Sequence, residues 1–551
     1  MARHRAPLAR RSLVSAILAL ALVGVVACSP PTTDSASSAG SAGPQQGQIT
    51  LLTASLPESL NPIAGFANTG KGKINESLLT LEGRPDALPD IVPHLASALP
   101  RISADGRTWT VPLRSDVTFS DGSPLTAQDV VATYEAIADP ASASPLAGDL
   151  VNLAGVTASD AQTVVFTLRE PQVSFRTALL IGIAPKGAIT PGQQVGDSPL
   201  TTAPVGTGPY VVDSFSADRL VLTANPAYRL GPVPMSRITY SLAADDNTRA
   251  QRMRAGEFDG SVLPPRLAQP FDDDGAMDVV TATSADWRGL SLPAGNPVTA
   301  DPAMRQALNT GIDREALVNG VLAGKGRPAS TFVPPQYGRF YDPAATFTYD
   351  LEASKAALEA AGWRVGDGGI RVKDGRRAAF TLMYRPTDML RRDLSAAFAS
   401  EALKLGVDVT IEGVEFAQAE PRMGTDALLL GGGDTPYDVD TQVYKSLHSS
   451  YPAAGAYYDN PSRYVNAAMD KALDEGRTST DEDTRVGAYR RVQQLYVADP
   501  SMVLLVFLDH VYLQRTSIAQ EWNTTPTLLE PHEHGTAWGP WVDIDRWTPK
   551  G

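Results

Sequence analysis

The chain has 551 residues, and 61 aspartates and glutamates against 47 lysines and arginines give it a net charge of −14. An acidic balance of this size argues against a nucleic-acid-binding protein, because phosphate contacts need lysine and arginine gathered on one face. The single cysteine excludes an internal disulfide and a thiolate metal site, so burial and hydrogen bonds must hold the fold.

The N-terminal segment has the three parts of an export signal. Four arginines precede an apolar run at residues 13–27, which ends in small residues before Cys28. This order predicts a secretory signal over residues 1–27, and the apolar run is too short to span a bilayer comfortably. Removing the four arginines from the total leaves the rest of the chain with a charge of −18.

Cys28 is the one cysteine, and it closes the sequence Val-Val-Ala-Cys. These four residues resemble the lipobox of bacterial lipoproteins. The resemblance implies cleavage before Cys28, acylation of its thiol and lipid anchoring at the outer face of the cytoplasmic membrane. An ordinary signal peptide with an incidental cysteine is the alternative. The pair Arg10-Arg11 leaves both general secretory and twin-arginine export open.

A segment rich in Ser, Ala, Gly and Pro predicts a flexible tether up to residue 48, and the remainder is too long for one core. Short β-type runs then alternate with helical patterns, which indicates an α/β protein with more than one sheet and two or three lobes. In chain order, the predicted elements are strands at 49–52 and 109–113, a helix at 127–137, a strand at 164–168, helices at 301–319, 351–361 and 389–405, a strand at 407–411, a helix at 489–496 and an apolar run at 502–508.

Several motifs occur together at ordinary spacing. Residues 117–130 read as a strand, an Asp-Gly turn and a capped helix, and residues 204–210 have the sequence Pro-Val-Gly-Thr-Gly-Pro-Tyr. With residues 88–96, 105–114 and 298–318 they resemble the family 5 solute-binding proteins of ABC importers for peptides, nickel and related solutes. The resemblance covers nearly the whole chain after the signal.

The resemblance implies an α/β, type II periplasmic-binding-protein-like fold with two lobes around a ligand cleft plus an extra subdomain. The lobes close on the solute by hinge motion, and the solute passes to a membrane permease driven by a separate ATPase. The implied protein is a monomer that breaks no bond and needs no cofactor. The predicted divisions are signal 1–27, tether 28–48, lobe I 49–92 and 205–286, extra subdomain (lobe II) 93–204, lobe III 287–514, and a return to lobe I with the C-terminal tail at 515–551.

The resemblance also nominates ligand contacts. Asp434 lies closest to an aspartate that pairs with the α-ammonium of the ligand in peptide-binding members, and a buried charge pair is a sound anchor. Arg385 resembles an arginine that pairs with the carboxylate of short peptides. In the alternative interpretation, Asp434 and Arg385 are each part of a solvated or structural ion pair. Three aromatic residues and the glycine before Asp434 complete the predicted pocket: Trp287, Tyr384, Tyr437 and Gly433. In the alternative interpretation, the three aromatic residues belong to the core.

A nickel chelate or related small solute is the second predicted cargo. The sequence Pro-Tyr-Asp at residues 436–438 resembles the nickel-binding branch of the family. His532 and His534 are candidate metal ligands, since imidazole suits nickel and residues two apart share a face on a strand. His448 is a third candidate, and a surface tail is the alternative interpretation of residues 532–534.

Two further function classes stay open. A binding protein reused as a cell-envelope regulator would have an altered or filled cleft. An exported hydrolase would need a nucleophile beside a base, and no motif nominates such a pair. The preferred interpretation is an extracytoplasmic lipoprotein that captures oligopeptides for import.

Overall fold

The computed structural model describes residues 47–84, 86–433, 435–451, 459–532 and 535–550. The predicted signal peptide, Cys28 and most of the predicted tether lie outside these ranges, as do Asp434 and His534. The strands, numbered in chain order, are β1 (Gly47–Thr53), β2 (Leu79–Glu82), β3 (Asp90–Pro93), β4 (Arg101–Ile102), β5 (Thr108–Pro112), β6 (Leu153–Asp160), β7 (Thr163–Leu168), β8 (Tyr210–Phe215), β9 (Arg219–Ala224), β10 (Met235–Leu242), β11 (Gly260–Val262), β12 (Met277–Ser291), β13 (Gly326–Pro328), β14 (Arg364–Val365), β15 (Arg371–Lys373), β16 (Arg376–Arg377), β17 (Ala379–Tyr384), β18 (Asp408–Gly413), β19 (Ala427–Gly432), β20 (Met502–Arg515), β21 (Trp522–Asn523) and β22 (Thr548–Pro549).

Helices alternate with these strands through most of the chain. Short 3-10 turns fill many of the connections. The α-helices are α1 (Ala127–Ala138), α2 (Asp246–Arg254), α3 (Pro265–Ala268), α4 (Pro302–Thr310), α5 (Arg314–Leu322), α6 (Leu351–Ala360), α7 (Met389–Lys404), α8 (Phe416–Ala419), α9 (Val439–Leu447), α10 (Ala467–Thr478), α11 (Glu482–Ala498) and α12 (Thr516–Glu521).

Local chemistry explains where several helices begin. The carboxylate of Asp129 accepts a hydrogen bond of 2.8 Å from the backbone N–H of Thr126, which caps α1 where the sequence predicted it. The prediction of a single helix at 301–319 is wrong, because the helix is interrupted between α4 and α5. Asp313 caps the second helix by accepting from the backbone N–H of Ala316 at 2.9 Å. The first strand begins at Gly47, two residues before the predicted start, since Gly47 donates to Pro234 O at 2.8 Å.

The largest sheet has eleven strands in the order β18-β17-β19-β12-β20-β11-β1-β10-β9-β8, with β13 paired to β20. We call β8, β9, β10, β1 and β11 the N-terminal half-sheet, and β17, β18 and β19 the C-terminal half-sheet. Strands β12 and β20 are the two longest, and they lie between the two halves.

The pairing of β12 with β20 is interrupted where the strands pass from one half-sheet to the other. Residues Met277–Thr283 pair with Asp509–Arg515, and pairing resumes at Trp287 opposite Phe507, with a second shift in register between Arg288 and Gly289. Three residues, 284–286, are therefore released from the ladder at this crossing. A break in pairing of this kind bends a strand and re-aims its side chains.

Separate cores support the two halves. In the C-terminal half, Trp287 packs edge to face on Phe332, with ring centroids 5.0 Å apart. In the N-terminal half, Tyr512 packs edge to face on Trp541, with ring centroids 5.6 Å apart. A separate four-stranded sheet of order β4-β5-β7-β6 packs with α1, where Tyr134 meets Phe166 at 4.8 Å. Strands β12 and β20 join the two half-sheets between their cores.

Candidate ligand-binding cleft

A cavity of about 440 Å³ lies at the crossing, and we call it the cleft cavity. Its walls come from both half-sheets: residues 54–55 after β1, the end of β11, the loop between β17 and α7, and β20. Strands β1 and β17 both end beside it, and ligands of open α/β sheets bind beyond the carboxyl ends of strands. Its volume falls within the range of roughly 300–1,000 Å³ usual for small-molecule sites.

Arg385 lines this cavity directly after the last residue of β17. Its side chain is exposed, and it makes no ion pair with any residue that the structure describes. The other ionised groups in the wall are already paired. Their partnerships are Asp388 with Arg391, Asp246 with Arg249, Asp509 with Arg327, and Arg288 and His510 with Asp286. Among the described residues, Arg385 is therefore a cation of this wall that has no carboxylate partner.

A group of charged side chains lies at the break in β12, and two of its members, Arg288 and His510, also line the cavity. Asp286 is fully buried, and it contacts His532 Nδ1 at 2.7 Å, His510 Nε2 at 3.1 Å and the guanidinium of Arg288. His510 Nδ1 in turn lies 2.6 Å from Glu530 Oε2. We call Asp286, Arg288, His510, Glu530 and His532 the crossing cluster. It ties β12 and β20 to the segment that follows Leu529.

The crossing cluster fixes its own protonation states. Burial raises the pKa of Asp286, but the charge of Arg288, the charge of His532 and hydrogen bonds from the two histidines outweigh it and hold that pKa well below its usual range. Burial lowers the pKa of His510, but hydrogen bonds to Asp286 and Glu530 raise it to about 10. His510 is therefore protonated at neutral pH, and both of its ring nitrogens donate.

The predicted histidine sites fall in two different places. His532 belongs to the crossing cluster and is only 8% exposed, so the surface-tail interpretation is wrong for this residue. His448 stacks on Tyr444 at 4.6 Å and contacts Ser450 and Asp474 instead. Across the described ranges, no three His, Cys, Asp or Glu side chains have the arrangement of a metal site.

The predicted aromatic residues lie outside the wall of the cleft cavity. Trp287 is 2% exposed in the C-terminal core, and Tyr437 is buried and stacks on Trp538 with centroids 6.5 Å apart. Tyr384 is half-buried at the end of β17. Packing accounts for all three positions, so ligand contact by these rings stays a prediction.

Gly433 lies immediately before Asp434 and has a φ of +106°, which an L side chain adopts only with strain. A Cβ there would lie 2.6 Å from the carbonyl oxygen of Ala285, beside the break in β12. The carbonyl oxygen of Gly433 accepts a hydrogen bond of 3.0 Å from the backbone N–H of His532. The backbone of Gly433 is therefore fixed against the crossing cluster.

Sequence reasoning missed the crossing cluster. Asp286 and Arg288 lie in β12 and His510 lies in β20, in mostly buried stretches where charge is rare unless it is paired. The sequence therefore allowed the prediction that these charges are paired, but it did not identify Glu530 and His532 as their partners. It depends on a chain segment more than 240 residues beyond Asp286.

Comparison with known proteins agrees with this architecture. The family model described as "Bacterial extracellular solute-binding proteins, family 5 Middle" matches residues 90–453. Protein XP55 of Streptomyces lividans is 39% identical over 508 residues, which cover 92% of this chain and 91% of that protein. The oligopeptide-binding protein AppA of Bacillus subtilis is 25% identical over 529 residues, with coverage of 90% and 92%.

A solved structure shows the same fold. NikZ from Campylobacter jejuni in complex with Ni(L-His) superposes with a TM-score of 0.80 at 23% identity, covering 91% of this chain and 99% of NikZ. The chain belongs to the family 5 bacterial extracellular solute-binding proteins, the extracytoplasmic binding components of ABC importers. Its fold is the type II periplasmic-binding-protein-like fold that the sequence predicted. None of the helices in the described ranges is long and apolar enough to cross a bilayer.

Proposed function

We propose that this protein captures oligopeptides outside the cytoplasmic membrane and delivers them to an ABC permease and its ATPase. The observation that carries the proposal is the Arg385 guanidinium, which is exposed in the wall of the cleft cavity and unpaired among the described residues. A guanidinium matches a carboxylate with two parallel hydrogen bonds, and every free peptide ends in a carboxylate.

We expect a ligand that is charged at both ends. Asp434 follows Gly433, whose backbone is held at the crossing, and a carboxylate there suits the α-ammonium of a peptide. A cation at Arg385 together with an anion at Asp434 would favour zwitterionic ligands. The relative AppA carries the name of an oligopeptide-binding protein, and it matches nearly the full length of this chain.

A nickel chelate is the second candidate, and the close fold match to NikZ with bound Ni(L-His) favours it. Arg385 would also accept the carboxylate of a chelating amino acid. Within the described residues, however, the Nδ1 atom of His532 is engaged by Asp286.

The open cleft cavity also fits a transport protein better than a regulator with a filled cleft.

Replacing Arg385 with alanine should weaken binding of trialanine by about 10–100-fold, the scale of one lost hydrogen-bonded charge contact of about 1.5–3 kcal/mol. Titration calorimetry with trialanine and with its C-terminal amide isolates the contact. The native protein should prefer the free acid, and Arg385→Ala should bind the acid and the amide alike.

Arg376→Ala is the matched control, because Arg376 is also exposed but lies in β16, away from the cleft cavity. It should keep the native preference for the acid. An undiminished preference in Arg385→Ala would remove Arg385 from the binding site.

We also propose that Cys28 carries the lipid anchor that holds the protein at the cell surface. Cys28→Ala should move the protein from the membrane fraction to the soluble fraction and abolish labelling with a fatty acid analogue. Ser29→Ala, one residue further along, should leave both properties unchanged. Continued membrane attachment of the Cys28 variant would rule out this anchor.

A further inference from the structure

Residues 101–183 contain β4 to β7, α1 and a 3-10 turn at Val173–Leu180, and we call them the flanking unit. The turn packs on the four-stranded sheet, because Phe175 meets Phe166 of β7 edge to face with ring centroids 5.6 Å apart. The backbone N–H of Ile183 donates to Glu76 O at 2.9 Å. This main-chain bond attaches the flanking unit to the segment between β1 and β2.

Helix α9 approaches the flanking unit from the C-terminal half of the protein. Val443 of α9 belongs to the same core as Trp287 and Phe332, so the helix is part of that half. Side chains from both bodies reach across the junction and form three polar links.

The central link is a hydrogen bond to a buried carboxylate. Ser174 Oγ donates to Asp440 Oδ2 at 2.5 Å, and both side chains are fully buried. Arg477 Nε and Tyr489 Oη donate to the same carboxylate at 3.0 Å each. A hydroxyl that donates to a carboxylate makes a short bond, roughly twice as strong as a neutral one. Separation of the two bodies would break this bond and open the carboxylate to water.

Two ion pairs accompany the buried bond. Lys445 Nζ of α9 lies 2.6 Å from Asp149 Oδ1 of the flanking unit, and both side chains are partly exposed. Arg176 Nη2 of the flanking unit lies 3.6 Å from Oδ2 of Asp438, the residue that caps α9. All three links therefore join the flanking unit to the first residues and the body of one helix.

The junction lies outside the ligand site but is connected to it through the chain. The side chains that form the links lie outside the wall of the cleft cavity. Helix α9 begins five residues after Asp434, the predicted ligand contact. In its first turn, Thr441 Oγ1 donates to Thr435 O at 2.5 Å. The segment after the predicted ligand contact is therefore tied to the helix that carries Asp440.

We propose that this junction is a latch that holds the two halves of the protein together when the cleft is closed. The latch acts on the equilibrium between open and closed forms, so it favours closure whatever the ligand is. A weakened latch lowers the affinity for every ligand of the closed form by the same factor, because only the closed population changes.

The test measures the distance between two spin labels by double electron–electron resonance. Cys28 is the only cysteine of the chain, so residues 29–551 take labels only at introduced cysteines. Ser159 of β6 and Lys471 of α10 are exposed labelling sites, one on each side of the junction. Protein freed of bound ligand by unfolding in guanidinium and refolding should show a shorter and a longer distance, which report the closed and open forms.

Ser174→Ala should lower the ratio of closed to open protein about tenfold, the scale of one lost hydrogen bond to a charged group. Ser142→Ala is the matched control, because Ser142 is 3% exposed and donates to Asp139 O at 2.8 Å within the flanking unit. It loses a buried hydroxyl bond but no link to α9, and it should keep the native distances. Thermal unfolding checks that both variants fold.

A charge reversal tests the latch at its partly exposed pair. Lys445→Glu places two like charges together at Asp149 and should shift the protein towards the longer distance. Adding Asp149→Lys restores a pair of opposite charges and should bring the shorter distance back. A role of Lys445 within α9 alone would not be rescued by a change on the flanking unit.

Unchanged distances in Ser174→Ala or in Lys445→Glu, or no recovery in the double variant, would overturn the latch. The measurement uses no ligand, so its result does not depend on peptide capture. If the distances shift as expected but trialanine does not bind, the latch stands and the proposed function is wrong.

Discussion

Replacing Asp286 with asparagine is expected to lower the free energy of unfolding by about 3–5 kcal/mol, the scale for removing one partner from a buried ion pair. Asp286 is fully buried against Arg288, His510 and His532. Asparagine keeps the shape but removes the negative charge, so the buried guanidinium of Arg288 and the two histidines lose a counter-charge. Glu530 can compensate only at His510, whose Nδ1 it already contacts.

Urea unfolding of the mature protein, followed by tryptophan fluorescence, measures the effect. Asp213→Asn is the matched control, because Asp213 pairs with Arg237 at 2.9 Å while both side chains are well exposed. The control should change the free energy by less than about 1 kcal/mol, as exposed pairs do. Equal effects of the two substitutions would show that the crossing cluster does not stabilise the fold.

Replacing Asp434 with alanine is expected to weaken binding of peptides with a free N-terminus by roughly 2–5 kcal/mol, the scale for truncating one partner of a buried charge pair. The reason is the α-ammonium, which would lose its counter-charge in a cleft partly closed to water. Titration calorimetry with trialanine and N-acetyl-trialanine separates this effect from a general loss of affinity.

The native protein should bind the free peptide far more tightly than the acetylated one, and Asp434→Ala should remove the difference. Asp272→Ala, at an exposed position distant in sequence, serves as the control and should behave like the native protein. Unchanged discrimination in the Asp434 variant would refute this residue as the ammonium partner.

Much of the local structure was predictable because it depends on neighbouring residues. The helix after Thr126 forms where its capping residue and its apolar spacing place it, and β20 grows from the apolar run at 502–508. The break between α4 and α5 was missed because the apolar spacing continues across Gly311. A Cβ at that glycine would lie 2.6 Å from Leu405, a tertiary contact that periodicity cannot express.

The site was less predictable, because it depends on contacts between residues that are far apart in the sequence. Arg385 was nominated by family resemblance, and the structure places it in the cleft wall. Trp287 was predicted to line the pocket, with a core residue as the alternative, and it packs on Phe332 in the core, since an aromatic ring on a strand suits either environment. The crossing cluster joins Asp286 to residues far along the chain, so no local pattern could assemble it.

Native mass spectrometry of purified residues 29–551, the mature chain without its lipid-bearing cysteine, followed by denaturation to release the bound material, tests the central claim most directly. Our account predicts a ladder of short peptides, each with a free carboxylate, and the range of masses gives the length that the cleft accepts. A single small organic mass accompanied by nickel or another metal would contradict peptide capture and identify the protein as a chelate-binding member of the family.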